Sequence, residues 1–186
     1  MTSLPRFARI TCAVTSPCQK GDGREICSCG TLQLGTLAAK LEAAISAKIK
    51  STPDFAERAE IIESVPGLAE TSSANLVAGM PELGQVGDEI AAALIGAAPY
   101  DDDSGKRRGE RHIKGGRRWV RNAIYMPCVG AATLNNPVLK AYYQRLIAKG
   151  KEPKVALIAC MRKLIVILNT MIARSQKWDP SRYVLN

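Results

Sequence analysis

At 186 residues the chain fits one compact domain, or one domain with a helical arm, and a composition of 46% apolar but only 5% aromatic residues excludes a core built on large rings. Its net charge of +9 is unevenly spread: residues 1–103 carry 8 Lys/Arg against 14 Asp/Glu, whereas residues 104–186 carry 18 against 3. A half-chain at +15 argues for a polyanionic partner, nucleic acid first, the alternative being a solvated basic surface.

Residues 1–30 lack any sustained period and read as an irregular leader. They never assemble the apolar run of a signal peptide, so the expectation is a cytoplasmic protein with reduced thiols. Cys12, Cys18, Cys27 and Cys29 crowd into this leader, but not in the paired knuckles that turn two thiolates toward one metal. A structural zinc site and a set of free thiols both stay open.

Residues 31–52 follow as a helical, coiled-coil-like arm. Leu34, Leu37, Leu41, Ile45 and Ile49 recur at three- and four-residue steps and form one apolar stripe, which needs a partner surface in this chain or in another copy. From Pro53 a compact domain is expected to run to about residue 180, with 181–186 as a tail. Its first helix carries Phe55, Ala59 and Ile62 on one face and ends at Pro66 and Gly67. A second runs from Thr71 to Met80. The helix, Pro-Gly turn, helix order has the outline of a helix-hairpin-helix, whose exposed N–H groups can hold a phosphate, although Ala69 and Glu70 stand where glycine and a neutral residue are wanted.

A short helix ending near Gly96 and Pro99 leads into a long polar loop, and helical pattern resumes after Gly115 and Gly116. In that helix Trp119, Ala123 and Met126 are expected to enter the core, with Arg117 and Arg121 facing outward together. Pro127 should kink or end it. Asn136, Pro137 and Gly150 bracket the next helix as cap, first position and stop. The last helix, Lys154 to about Ala173, is apolar nearly all round, yet Arg162, Lys163, Asn169 and Thr170 interrupt it, so it reads as a core helix and no membrane partner is expected. No segment alternates as a strand should, and the fold class is all-α.

The chemistry concentrates in YDDDSGKRRGERHIKGGRRWVRN, Tyr100 to Asn122. Lys106, Arg107, Arg108, Arg111, Lys114, Arg117, Arg118 and Arg121 lie on a Gly-rich loop feeding a helix N-terminus, where anions bind well. Asp101, Asp102 and Asp103 are a poor metal site because consecutive carboxylates rarely converge on one ion. No metal is expected here. Ser104 is either a turn residue or, assisted by neighbouring guanidiniums, a nucleophile toward phosphate, and His112 either a base or a plain phosphate or solvent contact.

The stretches AALIGAAPYDDDSGKRRGERHIKGGRRWVRNAIYM and NPVLKAYYQRLIAKGKEPKVALIACMRKLIVILN, with SVPGL before them, resemble the C-terminal transposase domain of the DEDD-type, RNA-bridged insertion-sequence transposases. The resemblance spans about residues 31–180 and rests on G-x-x-P, S-G-K, G-R-R-x-x-R and G-K-x-x-K-V-A-L in one order. It implies that Ser104 attacks a DNA phosphodiester to form a covalent phosphoserine link. It also implies an N-terminal RNase-H-like domain supplying acidic residues for Mg²⁺; the space before residue 31 cannot hold one, so the chain looks truncated and carries no cofactor of its own. DNA is the expected partner, with a guide RNA and a full-length transposase or second copy, met through the arm, as further candidates. The alternative function is a non-catalytic helical nucleic-acid-binding or interaction module.

Overall fold

The computed structural model describes residues 28–101, 103–105, 109 and 112–183, with side chains from residue 34 onward. The leader, its Cys12, Cys18 and Cys27, the Cys29 side chain, and Asp102, Lys106, Arg107, Arg108 and Arg111 lie outside the described residues. The chain divides into two compact units, 1–38 and 39–186. In the first, the described residues belong to the opening turns of helix α1 (Ser28–Ser51), and Leu34 and Leu37 are exposed there. In the second, Leu41 and Ile45 are likewise exposed, while Ile49 packs against the core.

The second unit is all-α. Helices α2 (Pro53–Glu63), α3 (Glu70–Gly79), α4 (Asp88–Leu94), α5 (Arg118–Gly130), α6 (Pro137–Ala148) and α7 (Pro153–Ala173) form it, with one antiparallel pair of two-residue strands, β1 (Pro99–Tyr100) and β2 (His112–Ile113). The strands are an addition to the expected loop, too short to show a period in sequence. Helix α7 is the centre: Ala156, Cys160, Met161, Leu164, Ile165, Ile167, Leu168 and Met171 are buried, and α2, α4, α5 and α6 pack around it. It is long and apolar enough to cross a membrane, but it is spent on this core. Burial pushes the Cys128 thiol up to about 12 and Cys160 to about 11, so both behave as small apolar side chains.

The caps around α6 are as read from sequence. The Asn136 side chain accepts from the N–H groups of Val138 and Leu139, Pro137 takes the first helical position, and Gly150 stops the helix at φ +77°. Other expectations need correction. On α2, Ala59 and Ile62 are buried as expected, but Phe55 is exposed and Ile61 is buried in addition. On α5 the core face is Val120, Ile124 and Cys128, leaving Trp119 54% and Met126 68% exposed. Both faces of this helix are apolar, and the branched, compact side chains match the space beside α7. Of the two outcomes expected at Pro127, a kink or an end, the end does not occur: α5 continues to Gly130 and passes into a π turn at Ala131–Asn135. Three buried side chains at ~1.5–3 kcal/mol each outweigh the ~3 kcal/mol that an internal proline costs.

Candidate nucleic-acid interface

The Pro-Gly turn between α2 and α3 keeps its hairpin shape but is closed to phosphate. Gly67, at φ +101°, lies against Ala131, where an added Cβ would come within 2.7 Å of the alanine methyl. Two carboxylates occupy the start of α3: Glu63 accepts from the Ser73 hydroxyl at 2.6 Å, and Glu70 is tied to Ser46 and to Lys50, the latter at 3.2 Å. These contacts hold Glu70 below the usual carboxylate range, the Ser46 hydrogen bond most of all. A turn fronted by two negative charges repels an anion.

The basic loop is built differently. Ile95 and Ala97 are buried and anchor its start, β1 and β2 pair Pro99 with Ile113 and Tyr100 with His112, and the segment beyond Tyr100 carries Ser104. Ser104 is exposed, as are Asp101, Asp103, His112, Lys114 and Arg118. Gly105 turns the chain at φ +59° immediately after the serine, and Asp103 Oδ1 accepts the Gly109 N–H at 3.3 Å. Ser104 is therefore exposed in the loop beyond the β1–β2 pair.

The described cations fall into two groups. Lys114 and Arg118 are exposed, and neither pairs with a carboxylate among the described residues. Arg117 and Arg121 lie one helical turn apart, but they face the base of the loop, not solvent. Arg117 Nη1 donates to the Gly79 carbonyl at 2.7 Å and to Glu82 Oε2 at 2.8 Å, and its Nη2 donates to Glu82 Oε1 at 2.5 Å. This two-pronged pair is partly covered, with side-chain exposures of 33% for arginine and 38% for glutamate. It holds the Glu82 carboxyl down to about 2 and raises the guanidinium. Arg121 Nη1 donates to Gly96 O at 3.0 Å and Gly115 O at 3.4 Å. Sequence reading missed Glu82, which stands 35 positions from its partner with no pattern to link them.

Residues 59–144, which include α3, α4, the whole loop and α5, match the family described as Transposase IS116/IS110/IS902 family. The chain is also similar to pilin gene-inverting proteins of Moraxella bovis, at 27% identity over 134 residues (70% of this chain, 42% of that protein), and of Moraxella lacunata, at 29% over 135 residues (70% and 42%). A third relative is an uncharacterized 44.8 kDa protein of insertion element IS116 from Streptomyces clavuligerus, 30% identical over 136 residues (72% and 34%). The chain thus spans less than half the length of these curated relatives. The whole loop and Ser104 fall inside the matched residues 59–144.

Proposed function

We propose that this chain is the serine-bearing, DNA-binding part of an insertion-sequence transposase, acting on cytoplasmic DNA. The observation that carries the reading is the exposure of Ser104 on a basic loop inside the matched residues 59–144. In the intact enzyme its Oγ attacks a DNA phosphorus. An Oγ–P ester forms, one P–O bond to a sugar breaks, and the serine hydroxyl's proton, taken up by a base, is passed on to the freed sugar oxygen, which leaves as a hydroxyl. The phosphoserine link conserves the ester bond for rejoining. Lys106, Arg107, Arg108, Arg111, Lys114 and Arg118 neutralise backbone phosphates around it, the arginines in two-pronged fashion.

The Mg²⁺ that the family resemblance implies does not fit the described residues. Asp101 and Asp103 are exposed, Asp103 is engaged by the Gly109 N–H, and no three His, Cys, Asp or Glu side chains converge among the described residues. The exposed Leu34, Leu37, Leu41 and Ile45 of α1 suit a second helix, from another copy or a longer transposase, and a guide RNA would use the same basic loop.

The test supplies the tagged chain with a full-length relative and donor DNA and looks for a covalent protein–DNA adduct on a denaturing gel. Ser104→Ala is expected to abolish the adduct on the tagged chain. An adduct yield unchanged by that substitution would replace this reading with a non-catalytic nucleic-acid-binding module.

A further inference from the structure

The loop that bears Ser104 leaves the helical body at Gly96 and rejoins it at Gly116, and these two glycines touch. Both have positive φ, +72° and +71°. A Cβ on Gly116 would lie 2.5 Å from the Gly96 Cα and 2.7 Å from the Ile95 carbonyl carbon; one on Gly96 would meet the Gly115 carbonyl oxygen and, at 2.5 Å, Arg121 Nη1. Side chains are excluded on both strands, so the crossing is as close as backbones allow. Around it, the Ala97 N–H donates to Ala92 O at 2.9 Å and the Arg117 N–H to Leu94 O at 2.7 Å, fixing one strand on each side.

The two arginines complete this neck. Arg121 binds a carbonyl from the outgoing strand, Gly96, and one from the returning strand, Gly115. Arg117 binds the end of α3 through Gly79 and the following turn through Glu82. A phosphate could reach Arg117 only by displacing a carboxylate that already fills its fork, against that carboxylate's repulsion. The exposed Arg118 meets no such obstacle among the described residues.

We infer that Arg117 and Arg121, with Glu82, are positioning residues: they tie both ends of the Ser104-bearing loop to α3 and α4, and neither arginine is spent on a phosphate. The consequence for Ser104 rests on the transposase reading above; the neck itself does not. Its function would be to limit the directions in which the serine can be presented to a strand, since a loop pinned at both ends has far less freedom than one pinned at neither.

Two measurements on the full chain decide it: amide hydrogen exchange over residues 97–115, and the salt dependence of binding to a mixed-sequence DNA duplex. Arg117→Ala, Arg117→Lys and Glu82→Gln are each expected to speed exchange in the loop about tenfold, because lysine keeps the charge but cannot fill the fork. Arg117→Ala and Arg117→Lys should leave the slope of log affinity against log salt at the wild-type value, whereas Arg118→Ala should reduce its magnitude by about one with exchange unchanged. Arg121→Lys should resemble Arg117→Lys. The proposal is overturned if Arg117→Ala lowers the slope by about one while exchange stays at the wild-type rate, or if Arg117→Lys retains wild-type exchange. Exchange is read without any reaction, so a failed adduct assay would leave this test intact.

Discussion

Asn169, 5% exposed in the core helix, shows how much one buried carboxamide can organise. Its Oδ1 accepts the Gly84 N–H at 2.8 Å, and its Nδ2 donates to Val86 O and Asp88 Oδ1, both at 2.9 Å, so it ties the whole α3–α4 connection to α7. Asn169→Ala would leave a half-buried backbone donor and a half-buried backbone acceptor without this partner, and a loss of about 1–3 kcal/mol in urea unfolding is expected. Glu82 makes a pH-dependent contribution. Its folded value of about 2 lies below its ordinary 4.5, chiefly through the Arg117 hydrogen bond, so its stabilisation is complete above pH 4.5 and fades as pH falls toward 2. The Trp119 ring packs on Gly79, whose carbonyl Arg117 binds, and reports the change. In a Trp178→Phe background, Trp119 fluorescence should shift across that acid window, and Glu82→Gln should remove the shift.

At the scale of elements, the close approaches are where single substitutions act most. The α2–α3 turn sits on the π turn through Gly67 and Ala131, with a φ that side chains rarely adopt and no space for a methyl. Gly67→Ala combines backbone strain with overpacking, and a cost of about 2–5 kcal/mol, read as a lowered thermal midpoint, is the expected outcome. The same contact explains why a helix-hairpin-helix outline does not make a phosphate site here: the turn is used for packing, and Glu63 and Glu70 front it. Caps and Pro/Gly stops located α2, α3, α6 and α7 to within a residue or two of their ends, because they act locally, whereas α4 was placed only by its stop near Gly96. Amphipathic period could not choose between the two apolar faces of α5, since that choice depends on which face α7 and α3 can cover.

For the molecule as a whole, charge placement carries the binding prediction. If five or six of Lys106, Arg107, Arg108, Arg111, Lys114 and Arg118 contact phosphates, log affinity for duplex DNA should fall with log salt at a slope of about −4 to −5, measurable by fluorescence anisotropy. A flat response would remove nucleic acid as the partner. Including Arg117 and Arg121 among the contacts would steepen that slope, which is why their engagement at the neck matters for the number.

Composition, cap residues and helical period were enough, in the sequence alone, to establish an all-α core centred on α7 and a basic loop bearing a serine, because each of these signals is carried by neighbours within a few residues. The tertiary structure alone decided what the arginines of that loop can do. Arg117 and Arg118 are adjacent and chemically identical, yet one is locked onto Glu82 and Gly79 while the other is open to solvent. That difference arises where α3, α4 and α5 come together, and no spacing along the chain encodes it.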